Sequence, residues 1–262
     1  MTPIYAIGDI HGQNAQLHQA LALIAADGGA DARVVFLGDY TDRGPDSRGV
    51  IETLIAGRDA GRDWIFLRGN HDRMFTRFVR QGCEHDPRVR SGISWLNPRL
   101  GGETTLASYG LRGAMHFADR PAGGLQHLAR FDGEGGPADK AGLARLARDA
   151  VPEAHLAFLE NLPLIHQTDD LILVHAGLRM ELPLEWQDPE DLLWIRDGFL
   201  DSRINYGRLI VHGHTALDHP QHHGNRVNLD GGAGYGNPLV PAVFEGRDCW
   251  VLTENGRVPL VA

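Results

Sequence analysis

The sequence predicts an α/β fold with a helical insert, and three observations predict it. Apolar strand-like runs alternate with stretches of helical apolar spacing early in the chain; a segment of helical and glycine-rich texture occupies residues 82–168; and five more strand-like runs follow it. Alternation of this kind calls for parallel strands joined by helical crossovers, and in such sheets ligands collect beyond the carboxyl ends of the strands. Polar motifs that directly follow strands are therefore the places to look for chemistry.

In order, a strand is expected from Ile4 to Gly8, a helix from Leu17 to Ala26, a strand from Val34 to Leu37, a helix over Val50 to Ile55 and a strand from Trp64 to Leu67. This is a βαβαβ pattern. The insert reads as helices in LASYGLRGAMHF, KAGLARLARDA and PEAHLAFLENL, the last with Pro152 near a helix start. Its DGEGGP stretch is expected to be a turn and not a phosphate-cradling loop, since no Lys-Ser or Lys-Thr follows and no strand leads into it. Strands are then expected at Leu171 to Val174, Leu209 to Val211, Arg226 to Leu229, Ala242 to Glu245 and Cys249 to Leu252. Without a repeat, linker or low-complexity segment, residues 1–262 read as one domain whose insert caps one face.

Composition narrows the function. A chain of 262 residues, 42% hydrophobic and 23% charged, has enough apolar surface for a full core. With 25 basic against 34 acidic side chains the formal charge is −9, which removes the electrostatic case for duplex nucleic acid or an anionic membrane as partner. Lys140 is the single lysine, so amine-nucleophile chemistry has almost no candidate and arginine must bind anions. Cys83 and Cys249 form no C-x-x-C motif or disulfide framework, which suits a reducing cytoplasm. No run reaches the roughly 18 apolar residues of a membrane span. MTPIYAIGDIHG leads straight into a motif, so the mature chain is expected to start here.

Three motifs end the first three strands: Gly8-Asp9-Ile10-His11-Gly12, Gly38-Asp39-Tyr40-Thr41-Asp42-Arg43-Gly44 and Gly69-Asn70-His71-Asp72. Two more follow later strands, His175 in ILVHAGL and His212-Gly213-His214-Thr215 in LIVHGHT. Carboxylate, imidazole and amide groups at strand ends, beside glycines that permit tight turns, are the ingredients of a site for divalent first-row metals. His212 lies two residues from His214 and faces the other side of an extended strand, so it is expected behind the site and not among the ligands. Nine other histidines (His18, His85, His116, His127, His155, His166, His219, His222 and His223) lack a motif, and most are expected to face solvent.

From Gly8 to the VNLDGGA segment near Asp230, these pieces in this order resemble the metallophosphoesterases of the phosphoprotein phosphatase type, including the phage-lambda-like serine/threonine phosphatases. The resemblance implies a metallophosphoesterase fold, a central mixed β-sandwich flanked by helices, with two metals at the strand ends. It assigns Asp9, His11 and Asp39 to one metal and Asp39, Asn70, His175 and His214 to the other, with Asp39 bridging. A water held between two such cations loses a proton near neutral pH and attacks phosphorus in line. Mn²⁺ is the expected ion, and the N and O ligand set also accepts Fe or Zn. Arg43, and Arg196 in LLWIRDGF, would hold the phosphoryl oxygens. His71 would give a proton to the leaving oxygen with Asp42 orienting and charging it.

Bland readings compete at two positions: Asp42 as a turn cap paired with Arg43, and Arg196 as a surface ion pair with Asp197 or Asp191. For function, the leading expectation is a serine/threonine phosphomonoesterase acting on a phosphoprotein or a small phosphorylated substrate. The alternative is a symmetrical diadenosine tetraphosphate hydrolase, against which Asp42 speaks, because a phosphate leaving group needs less acid help than an alkoxide. A third class, a metal-binding interaction protein without catalysis, predicts a missing ligand or acid, and none is missing. Specificity is expected around Trp95 to Tyr109 and in the loop after His214.

Overall fold

A computed structural model describes residues 2–111 and 140–262 of the chain. The first half has the expected βαβαβ order, β1 (Ile4–Ile7), α1 (Asn14–Gly28), β2 (Arg33–Phe36), α2 (Ser47–Asp59) and β3 (Trp64–Phe66), and continues into a helix that was not expected, α3 (Asn70–Gln81). Helix α1 buries Leu17, Ala20 and Ile24, one stripe at helical spacing. Helix α2 starts at Asp46, whose carboxylate accepts from the Gly49 N–H, and buries Val50, Ile51 and Leu54. There follow α4 (Gly102–Ser108), α5 (Lys140–Ala150), α6 (Glu153–Glu160), β4 (Ile165–Gln167), β5 (Leu171–Val174), α7 (Pro189–Trp194), β6 (Leu209–His212), β7 (Gln221–His222), β8 (Arg226–Asn228), β9 (Ala242–Glu245), β10 (Asp248–Thr253) and β11 (Gly256–Pro259).

Two mixed sheets result, of order β11-β10-β9-β1-β2-β3 and β4-β5-β6-β8-β7. Strands β1, β2 and β3 run parallel, as do β5, β6 and β8. Both sheets therefore present carboxyl ends of parallel strands on which a site can be built. Between the sheets lies a buried apolar layer that includes Val35, Leu37 and Phe244 from the first and Leu173, Val211 and Val227 from the second. Strands β5 and β6 are buried along their whole length, which explains their unbroken apolar runs. The outer face of the first sheet carries the helices, and the outer face of the second is covered by α7 and the 176–200 segment.

The expected helical insert differs at its end. Residues 165–167 form edge strand β4, antiparallel to β5, and thus belong to the second sheet. Its helices α5 and α6 place Leu143, Ala147, Leu156 and Leu159 in the same core as α3. His155, expected in solvent, is buried on α6 and its Nδ1 lies 2.8 Å from the Tyr109 hydroxyl. Strands β7 and β11 were not expected: β7 is two residues long, and β11 is a largely exposed edge containing Pro259. DGEGGP, the end of LASYGLRGAMHF, His116 and His127 lie outside the described residues.

Candidate active site

Five motifs meet at the carboxyl ends of the parallel strands. Asp9 and His11 follow β1, Asp39 to Arg43 follow β2, Asn70 and His71 open α3 after β3, His175 follows β5 and His214 follows β6. The loops are tied together: the Asp39 carbonyl accepts from the Ile10 and His11 N–H groups at 3.1 and 2.8 Å, and the His11 carbonyl from Gly44 at 2.9 Å. Among the described residues the non-glycine positions with positive φ are His11, Asp39, Asp42, Arg43 and His214. All five belong to this site, so backbone strain of about 1–3 kcal/mol per residue is concentrated where side chains must be aimed.

Donor atoms of His11, Asp39 and His71 lie within 4.8 Å of one another, and so do those of Asp39, His175 and His214. Asp39 is common to both groups. Asn70 Oδ1 stands 2.9 Å from His175 Nε2 and 2.7 Å from His214 Nδ1. Asp9 lies 4.0 Å from His11 Nε2 and accepts from the His214 N–H at 3.0 Å. Buried carbonyls fix two of the rings: His11 Nδ1 donates to the Thr41 carbonyl at 2.8 Å and His175 Nδ1 to the Leu37 carbonyl at 2.9 Å. Their Nε2 lone pairs then face Asp39 oxygens at 3.6 and 3.5 Å, with no proton to share. Acceptors aimed at one another in a buried space fit divalent cations on either side of Asp39.

Electrostatics agree with that fit. Burial, followed by the charges of Asp230 and Asp39, raises the Asp9 carboxyl well above its ordinary range, and burial followed by Asp72 does the same for Asp39. Burial holds His11 and His214 well below the usual imidazole value and brings His175 to about 3. The imidazoles are thus in the neutral form that binds a metal, and a divalent cation would relieve the repulsion between the crowded carboxylates.

Arg43 reaches between the rings of His11 and His71: one terminal nitrogen contacts His11 Nε2, the other lies 3.2 Å from His71 Nε2, and the guanidinium sits 4.7 Å from the centre of the Tyr235 ring. Asp42 is fully buried and bonds His71 Nδ1 at 2.6 Å, the Trp95 indole N–H at 2.7 Å and the Thr105 hydroxyl at 2.7 Å. It is not the turn cap paired with Arg43 that the bland reading offered. Burial pushes the Asp42 carboxyl up to about 7 against the lowering effect of Thr105 and Trp95. Burial and then Arg43 hold His71 well below its ordinary value. The negative charge of a bound phosphoryl group works in the opposite direction.

Arg196 donates to the His214 carbonyl at 3.1 Å, whereas Asp191 pairs with Arg88 and Arg179, and Asp197 with Arg90. His212 is buried behind the site, its Nε2 3.1 Å from Arg226 and its ring 5.0 Å from that of Phe199. A cleft of about 670 Å³ opens over the cluster, lined by Asp39, Asn70, His71 and His214 on its floor and by Arg43, Arg88, Arg90, Arg179 and Arg196.

Sequence reasoning missed four contributors. Asp72 accepts from the backbone N–H groups of Gly69, Asp39 and Tyr40 at 3.0, 2.9 and 2.9 Å, clamping the β2 and β3 loops together. Its signal was present, as the acid three residues after the helix cap in Gly69-Asn70-His71-Asp72. Asp230, after β8, lies beside Asp9. Trp95 and Thr105 carried no signal at all. Both lie in the segment expected to set specificity, and both are buried against Asp42.

The paired mixed sheets and the carboxylate–imidazole cluster at their strand ends define a metal-dependent phosphoesterase. The chain belongs to the calcineurin-like phosphoesterase family, whose model matches residues 2–240. It is 24% identical over 270 positions to the asymmetrical bis(5'-nucleosyl)-tetraphosphatase of Bacillus mycoides, covering 89% of this chain and 87% of that one. Over a shorter stretch of 73 residues it is 44% identical to the serine/threonine-protein phosphatase 4 catalytic subunit of Kluyveromyces lactis, 27% of this chain and 23% of that one. Among solved structures, the cold-active protein-tyrosine phosphatase of a Shewanella species superposes with a TM-score of 0.57 at 15% identity, covering 100% of this chain and 81% of that one. That likeness shows the fold. The chain is accordingly a hydrolase of phosphoester bonds, with residues able to hold two divalent cations.

Proposed function

We propose that this protein is a cytoplasmic phosphomonoesterase acting on phosphoserine or phosphothreonine in proteins or on small phosphate esters, with two Mn²⁺ ions. The observation that carries the reading is the 2.6 Å contact of His71 Nδ1 with buried Asp42, which leaves Nε2 turned toward the cleft. An alkoxide is a poor leaving group, and a proton donor placed beside the phosphoryl site is what its departure requires. Asp9, His11 and Asp39 would hold one cation, and Asp39, Asn70, His175 and His214 the other. When bound, the ions supply Lewis acidity toward the phosphoryl oxygens and activation of water. Arg43 and Arg196, both on the cleft wall, would hold the equatorial oxygens. As the P–O bond breaks, His71 gives the leaving oxygen its proton. The cytoplasmic location rests on the free thiols of Cys83 and Cys249.

A second reading, hydrolysis of a dinucleoside polyphosphate, is favoured by the arginines of the cleft. Arg88 and Arg179 share Asp191 as partner, so their pairing leaves a surplus positive charge in a chain of net charge −9. The name of the Bacillus mycoides relative points the same way. Initial rates with Mn²⁺ on a phosphothreonine peptide and on diadenosine tetraphosphate at matched concentration separate the two. Higher kcat/KM on the peptide, with a loss of at least about 100-fold in Asp42→Asn, supports the monoesterase. Faster nucleotide cleavage, unchanged in Asp42→Asn, overturns it.

A further inference from the structure

The segment after α3, together with α4, contributes no residue to the metal cluster, yet it brings two hydrogen-bond donors to Asp42. Trp95 and Thr105 are buried, as is Asp42 itself. Asp42 Oδ2 receives the Trp95 indole N–H at 2.7 Å, a group that can only donate. Thr105 Oγ1 accepts from the Asp42 backbone N–H at 2.8 Å and lies 3.0 Å from the Ser47 hydroxyl. Its hydroxyl donates to Asp42 Oδ1, 2.7 Å away. Both carboxylate oxygens thus already have donors from outside the cluster. These donations stabilise the ionised carboxylate against the burial that pushes it up to about 7, and so favour the proton between it and His71 Nδ1 lying on the ring.

We propose that Trp95 and Thr105 are positioning residues for proton transfer: by donating to both oxygens of Asp42 they hold it as an acceptor-only carboxylate. His71 is thereby fixed with Nδ1–H toward Asp42 and Nε2 toward the leaving oxygen. The inference rests on the reading of His71 and Asp42 as the proton-donating pair. A weakened Asp42 could take the proton itself, or let the ring rotate, and either leaves Nε2 unable to serve the leaving group. Catalytic power is then lost in proportion to how much the leaving oxygen needs a proton.

The test uses the Mn²⁺-loaded full chain and three variants, Thr105→Val (the same shape without the hydroxyl), Thr105→Ser (hydroxyl kept) and Trp95→Phe, on an alkyl phosphate and on 2,4-dinitrophenyl phosphate. We expect kcat of Thr105→Val and Trp95→Phe on the alkyl ester to fall by about 10- to 100-fold. On the dinitrophenyl ester, which departs without protonation, the fall should stay below about 3-fold, and Thr105→Ser should behave as wild type on both. Equal losses on the two esters, or none on either, overturn the proposal. Asp42→Asn and His71→Asn are run beside them. If these also lack leaving-group dependence, the reading of the pair has failed; if they show it and Thr105→Val does not, only the role of Thr105 has. Should Thr105→Val or Trp95→Phe unfold, the His71 Nδ1–H proton resonance in ¹⁵N-histidine-labelled wild type and Thr105→Ser decides. A hydrogen-bonded signal preserved in both supports the assignment, and its absence from folded wild type refutes it.

Discussion

Gly69→Ala measures how tightly the cluster depends on the approach of two loops. Gly69 caps α3 with φ −96° and ψ 169°, a backbone that any residue adopts, so alanine adds a methyl group and no backbone strain. That methyl would lie 2.1 Å from Asp39 Oδ1 and 2.2 Å from Asp39 N, where ordinary contact begins near 3.4 Å. Asp39 has nowhere to go: its N–H donates to Asp72 at 2.9 Å, its carbonyl accepts from Ile10 and His11, and its Oδ1 accepts from the His71 N–H at 2.9 Å. Relief therefore separates the two loops by roughly 1 Å, a displacement that costs about 100-fold in turnover when it falls on reacting groups. Overpacking should also cost about 1–3 kcal/mol of stability. Mn²⁺-dependent initial rates, calorimetric Mn²⁺ titration and urea unfolding read the three consequences. Gly61→Ala is the contrast, a positive-φ turn with open space around the new methyl, where stability falls and turnover does not. A Gly69→Ala protein with wild-type turnover and Mn²⁺ affinity would refute the argument.

Three other outcomes follow from the same geometry. Chelation of divalent ions should lower the melting temperature by about 5–10 °C relative to protein at 100 times the metal dissociation constant, since binding at one such site contributes about 2.7 kcal/mol. Differential scanning calorimetry with EDTA and with Mn²⁺ checks this, and coincident transitions contradict it. Asp72→Asn should cost about 2–4 kcal/mol in urea unfolding, because an amide NH₂ must then face backbone N–H groups that a carboxylate accepts; a change under about 0.5 kcal/mol speaks against the clamp. Burial pushes the Cys249 thiol up to about 12, so it stays protonated and enclosed near pH 8. Ellman's reagent should therefore titrate Cys83 alone in native protein and both thiols in denaturant, whereas two fast native thiols would contradict the burial of Cys249 on β10.

Much of the molecule is determined locally and was legible in the sequence. Strands β1, β2, β5, β6, β8, β9 and β10 announce themselves by apolar runs, and α1 and α2 by apolar residues at helical spacing. The residues that converge on Asp39 were legible because each follows such a strand, and parallel strands deliver their carboxyl ends to one place. What the sequence could not carry is pairing across long separations. Strand β4 is a short edge strand visible only through its partner β5, and β11 exists as the exposed edge beside β10. Asp42 meets Trp95 and Thr105 across 53 and 63 positions. Indole and hydroxyl groups in a glycine-rich stretch look like any others until a fold buries them against a carboxylate. Residue type and periodicity made the candidate donor residues and most of the strands that carry them legible. Which partners close around a buried group such as Asp42 is set by long-range packing, and its protonation depends on every one of them.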